Sequence, residues 1–181
     1  MGNKIKKYMI NHSIISERSQ DHWPYFEVEN KNVLDLGCGR HQTYEKQDHS
    51  PCYFLDHGAK KVVAVDSSQT EVDYYMGVYG ANDPTFYIER NEITESKQIL
   101  NYIQKYNITA IKCDIEGYET AFYDITKKDL DNVKSIAIEY HCNDRREAIV
   151  KKLEEWQFNL IAEGLFTYCH APNMGVLFAK K

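Results

Sequence analysis

The chain has no apolar run near the roughly 18 to 20 residues needed to cross a bilayer, and its start, MGNKIKKYMI, has no signal-peptide hydrophobic stretch. Residue six is Lys, which argues against myristoylation. Paired cysteines are missing as well. Cys38, Cys52, Cys113, Cys142 and Cys169 are odd in number, scattered and never in a C-x-x-C arrangement, which leaves no basis for a disulfide framework or a thiolate zinc site. Reduced thiols without an export signal predict a cytoplasmic protein with no membrane partner. An excess of positive charge is also lacking. With a net charge of -5 and a pI near 5.8, nothing draws the chain to phosphate backbones, so no nucleic-acid partner is expected. There is no internal repeat and no low-complexity segment.

What is present is ordinary globular composition, 43% hydrophobic and 27% charged over 181 residues, the size of one α/β domain. Runs that read as buried strands occur at residues 32–36, 61–65, 85–88, 110–114, 135–140, 159–162 and 175–179. Between them lie stretches with helical spacing, such as Ile99, Ile103 and Tyr106, or Ile149, Leu153 and Trp156. Ser50-Pro51 suits a helix start and Gly58 its end, and Ser68 with Glu71 fits a capping box. This alternation predicts a mostly parallel sheet of seven strands, with helices on both faces. The short link from Glu163 to Met174 predicts that the last two strands pair as a hairpin, the final one antiparallel. Residues 1–31 are less regular and read as an N-terminal lid or cap segment, or equally as a helix packed over the sheet edge.

In such a sheet, ligands bind beyond the carboxyl ends of the strands, where strand order reverses. The first strand reads NVLDLGCGR, which puts Gly37 and Gly39 in the turn after it, where missing side chains let a ligand approach the backbone. The second strand ends in Asp66 followed by Ser67, 27 residues beyond Gly39, placed for a carboxylate to accept from both ribose hydroxyls. After the third strand, Asn91, Glu92 and Ile93 could bracket an adenine. A dinucleotide site would want a third glycine at position 42, where Gln stands, and a helix starting at once for the pyrophosphate. The polar stretch Arg40 to His49 fits a nucleoside ligand without phosphates, such as S-adenosylmethionine (SAM), better than NAD.

The series VLDLGCG, VVAVD, IKCDIEGYE and IAIEYH, in this order and at these spacings, resembles the FkbM family of SAM-dependent methyltransferases over about Asn32 to Lys180. The resemblance implies a Rossmann-like class I methyltransferase fold in residues 32–181, with Asp35, Gly37 and Gly39 lining the SAM pocket and Asp66 as its acidic residue. DIEG with Glu119 is the most family-specific piece. Two departures stand out: His41 replaces the common third glycine of the first motif, and the chain is shorter than many members.

Side chains two apart on an extended segment share a face, so Asp114 can act with Glu116, and Glu139 with His141, at the ends of the fourth and fifth strands. Methyl transfer needs an aligned acceptor and removal of its proton. His141 is the preferred base; alternatively Asp114, Glu116 and Glu139 hold Mg²⁺ and so acidify a bound hydroxyl. Blander readings stand beside these: an acid such as Glu119 capping the next helix, a buried structural histidine, and Cys38 as a small packing residue. Asn82-Asp83-Pro84-Thr85-Phe86 superficially resembles an amino-methyltransferase motif, but it precedes the third strand rather than following the fourth. The expected activity is O-methylation of a hydroxyl on a small molecule or carbohydrate, an activity implied by the resemblance. The rivals are a non-catalytic SAM-binding module serving as a regulatory or partner subunit, and an NAD-linked enzyme.

Overall fold

The protein was analysed as a computed structural model, which describes residues 25–39, 49–80, 83–165 and 174–181. Strands β1 (Asn32–Leu36), β2 (Lys61–Asp66), β3 (Phe86–Arg90), β4 (Ala110–Cys113), β5 (Ser135–Tyr140), β6 (Asn159–Leu165) and β7 (Gly175–Lys180) form one sheet in the order β3-β2-β1-β4-β5-β7-β6. Every ladder from β3 to β5 is parallel, and β7 runs antiparallel to both β5 and β6. The expected sheet and closing hairpin are therefore present. Helices α1 (Ser50–Asp56), α2 (Gln69–Tyr79), α3 (Ser96–Tyr106) and α4 (Asn143–Glu155) cover the faces. None of the described helices is long and apolar enough to cross a membrane.

The two-residue period of the strands sorts the core into two layers. On one face Leu34, Leu36, Val63, Val65, Ile111, Ile136 and Ile138 meet Ile99 and Ile103 of α3 and Ile149 and Leu153 of α4. Trp156, fully buried beyond α4, donates its indole N–H to the Ile125 carbonyl at 2.8 Å, so its polar atom is satisfied. On the other face Val33, Val62, Ala64, Ala110 and Ala137 meet Phe54 of α1 and Val72 and Tyr75 of α2. Burial on both faces is why these strands read as continuous apolar runs.

Two local expectations need correcting. Ser68 is the N-cap residue of α2, but its side chain makes no capping bond; Asp66 accepts its backbone N–H at 2.8 Å instead. The third strand begins at Phe86 rather than Thr85, because Asp83 holds the Thr85 N–H (2.7 Å) and hydroxyl (2.6 Å) in a turn. That turn accounts for the motif-like stretch before β3. In residues 25–31, Phe26 packs edge-on against Phe54, Val28 is buried, and the Glu27 carbonyl accepts from Ser135 at the start of β5. This segment closes the amino ends of the strands, opposite the candidate site. The rest of the proposed lid, residues 1–24, lies outside the described residues.

Candidate active site

Strand order reverses at β1, flanked by β2 and β4, and in open sheets of this kind ligands bind beyond the carboxyl ends of the strands at such a point. The turn after β1 is fixed from several sides. Gly37 has φ +70°, donates its N–H to the Val65 carbonyl at 2.9 Å, and sits so close to β4 that an added Cβ would lie 1.6 Å from the Asp114 carbonyl oxygen. Its glycine requirement comes from chain packing. Tyr75 of α2 donates its hydroxyl to the Cys38 carbonyl (3.0 Å), and Lys112 of β4 donates to the Gly37 carbonyl.

Lys112 and Asp35 are the two charged residues inside the apolar runs of β4 and β1, and they pair at 3.1 Å. Ser50, at the start of α1, donates its hydroxyl to the other Asp35 oxygen at 2.6 Å. Burial works against the Lys112 charge, but Asp35 and Asp114 outweigh it and keep the ammonium protonated well beyond its ordinary range. Asp35, expected to line the pocket, is fully buried; its carboxylate anchors Lys112 under the turn.

Gly39 and Asp66 are placed differently. A Cβ at Gly39 would meet Asp66 Oδ2 at an ordinary 3.5 Å, while Asp66 Oδ1 accepts from Ser68. One carboxylate oxygen is thus spent on the backbone, and the other faces the open side of the glycine turn. Burial raises the pKa of Asp66 above its usual value, and the Ser68 N–H partly offsets this. Ser67 is exposed beside it, its carbonyl accepting from Arg90. Of the adenine candidates, Glu92 is exposed. Asn91 is engaged with Tyr102 (3.0 Å) and Gln98 (3.3 Å), and Ile93 is buried in the core under α3.

At the ends of β4 and β5, Asp114, Glu139 and His141 each bring one ligand atom within 4.8 Å of the others. Glu116 does not join them; it is exposed, with φ +38°, in the tight turn it forms with Gly117 (φ +105°). His141 Nε2 lies 3.9 Å from both Asp114 Oδ1 and Glu139 Oε1. That is too far for a direct hydrogen bond, but a single oxygen about 2.8 Å from each could bridge the gap. Its Nδ1 donates to Glu119 Oε1 at 2.7 Å. Glu119, fully buried, also accepts from the Gly117 N–H (3.0 Å) and from Arg145 of α4 (2.8 Å). The hydrogen bond to Glu119 raises the His141 pKa above its ordinary value, burial opposing it. Burial would raise Glu119, but the bonds from His141 and Gly117 win and leave it below the usual carboxylate range. Burial and the neighbouring Asp114 push Glu139 well above its usual value.

Lys112, Arg145 and the pairing of Glu119 with His141 are additions to the residues picked out in the sequence. The first had a visible signal, since a lysine in the middle of AIKC requires a buried counter-charge and VLDL holds the matching one.

Solved structures share this architecture. An uncharacterized protein from Listeria monocytogenes superposes with a TM-score of 0.60 at 11% identity, over 84% of this chain and 63% of its own. Aeropyrum pernix fibrillarin, crystallised with natively bound S-adenosyl-L-methionine, gives 0.54 at 10% identity, over 83% of this chain and 66% of its own. An S-adenosylmethionine-dependent methyltransferase from Mesorhizobium loti gives 0.53 at 12% identity, over 86% of this chain and 93% of its own. This is the Rossmann-like methyltransferase fold. The chain spans just under two thirds of the first two of these proteins. No family model matches it, and no curated protein matches its sequence. In this fold the turn at Gly37–Gly39 follows β1, Asp66 ends β2, and the cluster of Asp114, Glu139 and His141 lies at the carboxyl ends of β4 and β5.

Proposed function

We propose that the chain is a SAM-dependent methyltransferase acting on a hydroxyl of a small molecule or sugar, with His141 as the base. The observation that carries this is the gap of 3.9 Å between His141 Nε2 and the Asp114 and Glu139 carboxylates, beside the turn that Gly37 and Gly39 shape. The choice of oxygen as acceptor atom rests on the resemblance to the FkbM family. The net charge of -5 favours an uncharged or cationic acceptor over nucleic acid. Tyr118, 45% exposed next to the Glu116-Gly117 turn, offers a flat apolar face for a sugar or an aromatic ring.

Gly39 and Asp66 fit the cofactor: the missing side chain at Gly39 leaves open space on the side of Asp66 Oδ2, where ribose hydroxyls would donate. When bound, SAM supplies an electrophilic methyl group on a sulfonium. Asp114 and Glu139 would flank the acceptor hydroxyl. Neutral His141 would take the acceptor hydroxyl proton on Nε2, which leaves the oxygen free to receive the methyl group that SAM would supply. The donor set suits Mg²⁺ poorly, because that ion favours oxygen ligands in an octahedron and the third atom here is an imidazole nitrogen.

Incubation with methyl-labelled SAM and a panel of sugars, phenols and amines, with and without Mg²⁺, tests the reading. Label transfer to a hydroxyl that is unaffected by chelator and lost in His141→Ala supports it. Binding of SAM with no transfer to any acceptor supports the rival, a SAM-binding module acting as a partner subunit.

A further inference from the structure

We infer that Glu119 is a positioning residue that fixes the tautomer and ring orientation of His141. The inference rests on the reading of His141 as the base. An imidazole that rotates freely about its side-chain bonds, and exchanges its proton between two nitrogens, presents the correct lone pair only part of the time. Here the ring is tied on one side. Nδ1 faces a fully buried carboxylate at 2.7 Å, so Nδ1 carries the proton and Nε2 keeps its lone pair. That lone pair faces the gap bounded by Asp114 and Glu139.

Glu119 is itself immobilised, which separates this arrangement from a chance contact. Oε1 accepts from both His141 and the Gly117 N–H, and Oε2 accepts from Arg145 Nη1 at 2.8 Å. Gly117 makes the last bond feasible. A Cβ there would meet Arg145 Nη1 at 3.1 Å, and φ +105° is strained for any side chain. The segment Glu116-Gly117-Tyr118-Glu119 thus folds back to put a buried anion behind the imidazole, while Arg145 balances the charge that burial would otherwise penalise. The charged groups around the ring are Glu119, Asp114, Glu116 and Glu139, with Arg145 acting through Glu119. Among the acids only Glu119 is within direct hydrogen-bond distance.

The test is nitrogen NMR of the ¹⁵N-histidine-labelled protein across pH 5 to 9, alongside the pH profile of methyl transfer. In the wild type, neutral His141 is expected as the Nδ1–H tautomer, titrating above the ordinary histidine value. Glu119→Gln removes the charge and leaves one acceptor oxygen where the carboxylate has two, so the amide oxygen can serve Gly117 or Arg145 but not both. The His141 midpoint should fall by about one unit, the transfer profile should move with it, and kcat should drop about 10- to 100-fold with KM little changed. Glu119→Ala should yield a mixture of tautomers, and Arg145→Met should leave the tautomer as in the wild type. A wild-type spectrum showing Nε2–H, or a His141 midpoint unmoved in Glu119→Gln, overturns the inference, and the wild-type spectrum decides even if a variant fails to fold. The expected spectra without transfer to any acceptor overturn the base reading and leave the positioning intact.

Discussion

Lys112 of β4 and Asp35 of β1 form a buried ion pair at 3.1 Å, and the same ammonium donates to the Gly37 carbonyl, so one charge pair ties two central strands to the glycine turn. Breaking such a pair from one side leaves an uncompensated buried charge. Lys112→Ala is expected to lower unfolding free energy by about 3 to 5 kcal/mol, and the double variant Asp35→Asn with Lys112→Met by much less. Urea unfolding of the wild type and the two variants checks this. Equal losses in the single and double variants would mean the pair has no special role.

The two glycines of the turn should respond differently. Gly37→Ala puts a methyl group where the Asp114 carbonyl oxygen sits, at φ +70°, and should destabilise the fold by about 3 kcal/mol or more. Gly39→Ala meets nothing closer than 3.5 Å and should cost less than about 1 kcal/mol. Its effect should appear instead as weaker SAM binding, because the methyl group would stand beside Asp66 Oδ2. Thermal melting and SAM titration of both variants separate the two roles.

Burial and the Asp114 charge push the Glu139 pKa well above its usual value. A carboxyl group whose folded pKa is raised contributes stability that is full below its unfolded value near 4.5 and is lost as pH rises through the folded value. Glu139→Gln mimics the protonated form, so it should be more stable than the wild type at neutral pH by on the order of 1 kcal/mol, a gain that vanishes below about pH 4.5. Denaturant midpoints at pH 4 and pH 8 measure this.

For Glu119 with His141, the signs oppose each other. His141 is raised from 6.5, so its contribution is complete below that pH and lost as pH climbs through the folded value. Glu119 is lowered from 4.5, so its contribution is complete above that pH and lost as pH falls through the folded value. The stability difference between wild type and His141→Ala should be largest between about pH 4.5 and 6.5 and shrink on either side. A flat difference from pH 4 to 9 would contradict this coupling.

The sheet was legible because β1, β2, β4 and β5 are buried on both faces and therefore appear as unbroken apolar runs. The hairpin of β6 and β7 followed from a link too short for a crossover helix. The site was legible only in part. Asp66, Asp114, Glu139 and His141 could be placed from their positions at strand ends, since strand direction dictates which edge they reach. The bond from Glu119 to His141 spans 22 residues of sequence and that from Arg145 spans 26, and no local period encodes such pairings. Asn91 shows the converse: a polar residue at the right strand end whose side chain is already committed to Tyr102 and Gln98.

The central claim is that the crevice between Gly39 and Asp66 holds a SAM nucleoside. Calorimetric titration of the protein with SAM and, separately, with NAD, repeated with Asp66→Ala, tests it most directly. Saturable SAM binding that is lost in the variant, with no NAD binding, is the predicted result. Failure to bind SAM, binding of NAD in its place, or SAM binding indifferent to Asp66→Ala would contradict the account.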